Sequence, residues 1–166
     1  DRMVDADDLA AFDWLATQPA AWEGLTAGDP ADGYSWMYAY NGVPTLNRHY
    51  LWPNGGRGTN TDIMYWNADF IGEGERNIAD EAVENLNVKF FLLSPGAFWN
   101  YQYPPYEMLR DFWVSEGVTL VYRKGKTVIF AVSSQFSEAE LQEMVEDGQE
   151  HGSDELFALA EVGATQ

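Results

Sequence analysis

The chain has 166 residues, of which 46% are apolar and 15% aromatic, so it is long and apolar enough to bury the core of one domain. Twenty-seven acidic residues against nine basic ones give a formal charge of −18, which argues against nucleic acid as a partner because its phosphates are repelled. The absence of cysteine excludes disulfides and thiolate metal sites, and no apolar run is long enough to span a membrane.

The first third of the chain predicts short elements rich in aromatic residues. Asp7 or Asp8 is expected to cap an amphipathic first helix, and residues 20–27 read weakly as a strand. The segment YSWMYAY, residues 34–40, predicts a short aromatic helix, and residues 43–46 are a candidate short strand.

The middle third predicts two helices and then the centre of a sheet. Ile63, Trp66 and Phe70 repeat at helical spacing, which predicts a helix with the two aromatic side chains in the core. A second helix is expected over 77–86. The apolar run VKFFLL, residues 88–93, is typical of a strand buried on both faces, so we place it in the middle of the sheet.

The last third predicts a short helix around 106–112 and then a hairpin that pairs 118–123 with 127–132 through a glycine turn. A capping box at Ser137 and Glu140 begins a further helix. Strands that alternate with helices predict an α/β layered domain with a central mixed β-sheet flanked by helices, and with a C-terminal β-hairpin followed by a helix.

The composition divides the chain into one α/β domain over residues 1–145 and an acidic C-terminal tail or appended helix over 146–166. The chain begins at Asp1 and not at a methionine, so we expect it to be a piece of a longer protein.

The stretch HYLWPNGGRGTNTD, residues 49–62, is the first candidate ligand site. Its glycine-rich bend leads into a predicted helix, so its backbone N–H groups and Arg57 could bind a carboxylate or phosphate. His49, Tyr50 and Trp52 could line the same site against a sugar or prenyl chain. The alternative is a structural connection in which Arg57 pairs with one of the many carboxylates.

The stretch FWNYQYPPY, residues 98–106, is the second candidate. Trp99, Tyr101 and Tyr103 lie among amide side chains and prolines, a composition that can present flat rings to a sugar; the alternative is a packed loop. The sequence contains no serine elbow and no HExxH motif, so it predicts no catalytic residue, no metal site and no cofactor.

Three longer segments carry a resemblance: DWLATQPAAWEGLTAGDPADGYSWMYAYNGVPTLNRHYLWP, VKFFLLSPGAFW and GVTLVYRKGKTVIFAV. Their order, and phrases such as DPADG and RHYLWP, resemble the C-terminal soluble region of large polytopic membrane proteins of actinobacteria, which look like GT-C type glycosyltransferases that use lipid-linked sugars. The resemblance covers about residues 8–145.

The resemblance implies a domain at the extracytoplasmic face of the cell membrane, joined to a membrane domain of the same polypeptide. It also implies an accessory role in binding a substrate or acceptor, such as a lipid-linked sugar or a cell-wall glycan, with no catalysis by this chain alone. The alternative is a free-standing secreted carbohydrate-binding or protein-interaction module. A small hydrolase would need a catalytic pair, and the sequence offers none.

Overall fold

The computed structural model describes residues 4–29, 33–48, 57–94 and 108–153, with no side-chain description for 108–110. Within these ranges the helices and strands follow in chain order: α1 (Ala6–Ala16), α2 (Ala20–Glu23), β1 (Leu25–Ala27), α3 (Trp36–Asn41), α4 (Asn60–Trp66), α5 (Ile78–Leu86), β2 (Val88–Leu93), α6 (Met108–Val114), β3 (Val118–Lys124), β4 (Thr127–Val132) and α7 (Glu138–His151). Short 3-10 turns cover Ala68–Phe70 and Ser133–Gln135.

The four strands form one mixed sheet in the order β1-β2-β4-β3. β1 runs parallel to β2, and β4 runs antiparallel to both β2 and β3. β2 therefore lies inside the sheet and β3 and β4 form the hairpin, which confirms the predicted mixed sheet, its central strand, and the hairpin followed by a helix.

Helices cover both faces of the sheet because side chains alternate along each strand. On β2, Phe91 and Leu93 point to the core that α4, α5 and α6 close, whereas Phe90 and Leu92 point to the core that α1, α3 and α7 close. The result is three layers with two apolar cores. No helix among the described residues has the length and apolar character needed to cross a membrane.

Local signals set most helix boundaries. α1 is capped by Asp5, whose side chain accepts hydrogen bonds from the N–H groups of Asp7 and Asp8. The Asp5 N–H in turn donates to the Asp8 carboxylate. The expectation that Asp7 or Asp8 is the cap was wrong by one turn, since Asp8 is the reciprocal partner in the capping box. Residues 20–27 were expected to be one strand, but α2 occupies the first half of this stretch.

The structure also corrects the prediction for Trp66 and Phe70, whose side chains were expected in the core because of their helical spacing. α4 ends at Trp66 and a 3-10 turn follows, so the spacing of Trp66 and Phe70 does not continue one helical face. Both side chains are about half exposed, at 52% and 53%. Met64 and Tyr65 are buried in their place.

The last helix is longer than the composition suggested. α7 begins at the capping box of Ser137 and Glu140, passes the acidic residues around 146 and ends at His151. Gly148 packs directly against the backbone of β3 at Val121, and the Ser153 N–H donates to the carbonyl of Arg123. The acidic part of α7 is thus joined to the sheet up to residue 153.

Candidate functional site

Four exposed aromatic side chains lie on α2 and α3, and we call them the aromatic surface: Trp22, Trp36, Tyr38 and Tyr40. Each is between 39% and 48% exposed. α3 is short because Gly42 closes it in the left-handed conformation, with φ of 82°. Trp36 and Tyr40 are four residues apart on this helix, so they share one face.

The polar ends of two of these rings are held by α1. The Trp22 indole N–H donates to the carbonyl of Ala16 at 3.0 Å, and the Tyr40 hydroxyl donates to Asp13 at 2.9 Å. The bond to Asp13 is the main reason why the pKa of Tyr40 is raised. Rings that are fixed in this way lose little conformational entropy when a ligand stacks on them.

A further contact links the aromatic surface to the residue that precedes the first predicted ligand stretch, residues 49–62. The guanidinium carbon of Arg48 lies 4.5 Å from the centre of the Tyr38 ring, within the range of a cation–π interaction. Arg48 directly precedes His49. The last described residue before residues 49–56 thus has its side chain beside Tyr38.

Three described segments end at the same edge of the sheet. β1 and β2 are parallel, and Thr45 forms a parallel bridge with Thr26 of β1, so the chain leaves all three in one direction. The last described residues there are Asp29, Arg48 and Ser94. Ligands of α/β proteins commonly bind at the carboxyl ends of parallel strands.

The edge of the sheet at the carboxyl ends of β1 and β2 is rich in buried polar groups. The Thr127 hydroxyl donates to Asp8 at 2.6 Å and lies 3.4 Å from the Ser94 hydroxyl. On the other face of the sheet, the Tyr65 hydroxyl donates to the Gly28 carbonyl at 2.8 Å. These bonds connect the starts of α1 and β4 to the end of β2, and they connect α4 to the end of β1.

Asn47 stands out among these groups. Its side chain is only 4% exposed, and neither its amide nitrogen nor its amide oxygen has a hydrogen-bond partner in the described part of the chain. A buried amide without partners destabilises the fold, and such groups in native proteins often contact a ligand or water. Asn47 lies two residues before His49 and was not singled out by the sequence, because an isolated asparagine carries no pattern.

Of the seven ligand residues that the sequence predicts, only Arg57 is described. It is exposed, so it is not buried against a carboxylate. The adjoining Gly58 N–H donates to the Asp62 carboxylate at 2.8 Å, so one donor of the predicted anion site already has an anionic partner. The other six lie outside the described residues: His49, Tyr50, Trp52, Trp99, Tyr101 and Tyr103.

One group in the described ranges could hold a metal ion by distance alone. Asp147, Glu150 and His151 have ligand atoms within 4.8 Å of one another at the end of α7. His151 Nδ1 lies 2.8 Å from the Asp147 carbonyl, and this bond is the main cause of the raised pKa of His151. Exposed acidic groups of this kind are common on so acidic a chain, and we assign no metal to it.

The comparison with protein families identifies the chain at the level of a family. Residues 1–134 match DUF6541, described as a family of unknown function, and because the match covers most of the chain, the chain belongs to that family. No curated protein and no solved structure matches it.

Proposed function

We propose that this chain, which belongs to DUF6541, a family of unknown function, is a non-catalytic carbohydrate-binding domain. It holds a substrate or acceptor glycan for a glycosyltransferase-like polytopic membrane protein of the cell envelope. The observation that carries this proposal is the aromatic surface, whose four side chains are 39% to 48% exposed and in which the rings of Trp22 and Tyr40 are held by bonds to α1.

The chemistry of the aromatic surface suits a sugar. Exposed tryptophan and tyrosine rings offer flat apolar faces with a polar end, which match the apolar face and the hydroxyl groups of a pyranose or furanose. Asp13 and Arg48, which contact Tyr40 and Tyr38, add a hydrogen-bond acceptor and a donor beside the rings. The net charge of −18 favours a neutral glycan over a polyanionic one.

The resemblance of residues 8–145 supports the cellular context of the proposal. It points to polytopic membrane proteins of actinobacteria that resemble GT-C glycosyltransferases, in which this domain lies at the extracytoplasmic face. The partners would then be the membrane domain of the same polypeptide and a lipid-linked sugar or cell-wall glycan.

A free-standing secreted carbohydrate-binding or protein-interaction module is the second candidate, and the same aromatic surface favours it. The full reading frame separates the two proposals. About ten or more predicted membrane spans upstream support the first, whereas a cleavable signal peptide alone supports the second.

Binding is tested by titrating the 166-residue chain with neutral oligosaccharides of several sugar types and following tryptophan fluorescence and calorimetric heat. We expect Trp36→Ala and Tyr40→Ala, which change two rings on one face of α3, each to weaken binding about fivefold, which corresponds to about 1 kcal/mol per stacked ring. Trp66→Ala is the matched control, because Trp66 is equally exposed but lies on a helix that covers the opposite face of the sheet. The proposal fails if no oligosaccharide binds, or if the control weakens binding as much as the two test variants.

A further inference from the structure

The four most exposed large apolar side chains in the described part of the chain form a group that we call the apolar patch: Trp66, Phe70, Ile78 and Val114. They are 52%, 53%, 59% and 68% exposed, whereas no ring of the aromatic surface exceeds 48%. They belong to α4, α5, α6 and the 3-10 turn between α4 and α5, which cover the sheet face opposite to α3. Single exposed apolar residues are ordinary, but a group of them on one surface marks a contact with another molecule.

Hydrogen bonds around the 3-10 turn bring three members of the apolar patch together. The Phe70 N–H donates to the carbonyl of Asn67, which directly follows Trp66. The Phe70 carbonyl in turn accepts from the side-chain amide of Asn77 at 2.7 Å, and Asn77 directly precedes Ile78. The end of α4 and the start of α5 are therefore both bonded to the backbone of Phe70.

The fourth member, Val114, is joined to the same turn from α6. The hydroxyl of the next residue, Ser115, donates to the carbonyl of Ile71 at 3.2 Å and accepts from the Gly117 N–H at 3.1 Å. Backbone meets backbone here, because a Cβ atom on Gly72 would overlap the Cα of Gly117. The four side chains thus project from segments that are bonded to one another, which places them on one surface.

The charged side chains on these segments are almost all acidic. Among the described side chains of residues 66–84 and 111–116, the one basic group is Arg76, and it is paired with Glu84 at 2.6 Å. Five acidic side chains there are exposed and form no ion pair within the described ranges: Asp69, Glu73, Glu75, Glu81 and Glu116. The apolar patch therefore has a rim of unpaired negative charge.

The acidic rim decides among the molecules that could cover the apolar patch. A second copy of this chain is disfavoured, because a two-fold interface would set the same acidic residues against each other. An anionic membrane surface is repelled for the same reason, and a neutral one would take water from the carboxylates without supplying a partner for them. A polypeptide segment that carries lysine or arginine beside apolar side chains complements both the patch and its rim.

We propose that the apolar patch binds a basic amphipathic segment of a partner protein. The apolar side chains of the segment pack on Trp66, Phe70, Ile78 and Val114, and its lysine or arginine side chains lie against the acidic rim. Exposed ion pairs contribute little affinity, so the rim directs the approach and orientation of the segment while the apolar contacts hold it.

The test is calorimetric titration of the 166-residue chain with a short peptide of leucine and lysine, in which leucine recurs at helical spacing, at an ionic strength of about 0.15 M. One saturable site is expected, and Trp66→Ala is expected to weaken it about fivefold or more. Trp36→Ala is the matched control, because it makes the same substitution at a residue that is 47% exposed on the other side of the sheet. It is expected to change the affinity by less than about twofold.

The contribution of the acidic rim is tested by charge. The double variant Glu73→Gln and Glu81→Gln is expected to weaken binding about threefold at low salt and to match the parent at about 1 M salt, where screening is strong. The same double change at Glu138 and Glu143 is the control, because both are exposed on α7, which packs on the other face of the sheet. A peptide with glutamate in place of lysine is expected not to bind.

The proposal is overturned if the basic peptide does not saturate, or if Trp66→Ala and Trp36→Ala weaken its binding equally, which would indicate general attraction to an acidic chain. Sedimentation of the chain alone, and with vesicles of zwitterionic phospholipid, tests the two other occupants. Self-association or vesicle binding that Trp66→Ala abolishes would assign the apolar patch to a second copy or to a membrane, and would also overturn the proposal. The apolar patch shares no residue with the aromatic surface, so each tryptophan variant is the control for the other experiment and the two proposals fail independently.

Discussion

At the scale of single residues, a substitution at Arg57 tests whether this side chain contacts a ligand or only stabilises the fold. The side chain is exposed, so Arg57→Ala is expected to change the free energy of unfolding by less than about 0.5 kcal/mol. If the glycine bend binds the phosphate of a lipid-linked sugar, the same variant weakens binding of a polyprenyl-phosphate sugar. Calorimetric melting together with a titration measures both quantities.

Arg76→Ala is the control for this experiment. Arg76 is also exposed, but it pairs with Glu84 at 2.6 Å at the start of α5. Equal weakening by the two variants would mean that the ligand responds only to net charge. Unchanged binding with Arg57→Ala would remove Arg57 from the site, in line with the carboxylate of Asp62 that already faces the Gly58 N–H.

Ionisation of Tyr122 is expected to lower the stability of the folded protein at high pH. Burial raises the pKa of Tyr122 to about 12, and Asp7 and Asp13 add to the effect. Because the pKa is higher in the folded state than its ordinary value of 10.0, the contribution to stability is complete below pH 10 and is lost as the pH rises through 12.

Urea unfolding at pH 9 and pH 11 checks this prediction. The unmodified chain is expected to lose more stability between the two values than Tyr122→Phe, which has no hydroxyl to ionise. Trp14 stacks on the same ring at 4.9 Å between centres, and phenylalanine retains that contact. Equal losses for the two proteins would show that another group causes the decline.

At the scale of elements, Gly148 determines how α7 meets the sheet. Glycine inside a helix is usually less favourable than alanine by about 1 kcal/mol. Here a Cβ atom at residue 148 would overlap the carbonyl of Val121 on β3, and a backbone atom cannot move aside easily. Gly148→Ala is therefore expected to destabilise the protein by about 1–3 kcal/mol.

Gln149→Ala is the matched variant on the same turn, and it is expected to stay within about 0.5 kcal/mol of the parent in urea unfolding. If Gly148→Ala proved as stable as the parent or more stable, helix propensity would outweigh the contact, and α7 would not lie as close to β3 as described.

The elements that the sequence predicted well are those whose signal is local. The run at 88–93 has no polar face, and the hairpin is formed by two β-rich arms around Gly125, so composition alone indicates both. The spacing of Trp66 and Phe70 gave a wrong prediction, because that prediction required one helix to continue across Asn67. The helix ends there, and a repeat counted across a helix end has no physical meaning.

The candidate sites were harder to predict because distant residues form them. The aromatic helix at 34–40 was expected, but the bond that holds the Tyr40 ring comes from Asp13, which lies 27 residues away. In the same way, the Gln18 side-chain amide donates to Asp147 across 129 residues. No spacing in the sequence reports such a contact, whereas a motif with fixed local spacing would have done so.

At the scale of the whole molecule, the charge of −18 sets the conditions under which the fold is stable. Like charges on one compact surface repel, and this repulsion lowers the stability of the folded state relative to the expanded chain. Salt shortens the reach of that repulsion, from about 10 Å at 0.1 M to about 3 Å at 1 M. The melting temperature is therefore expected to rise with sodium chloride, by about 2–4 °C for each kcal/mol of relieved repulsion.

A variant with fewer acids separates charge screening from other effects of salt. Glu23, Glu75 and Glu116 are exposed, and within the described ranges their carboxylates accept no hydrogen bond, so replacing all three with glutamine removes charge and little else. The formal charge becomes −18 + 3 = −15. This variant should melt above the parent at 0.05 M salt and at the same temperature at 1 M, because screening leaves little repulsion to remove. A parent that melts at the same temperature across this range would show that surface repulsion does not limit its stability.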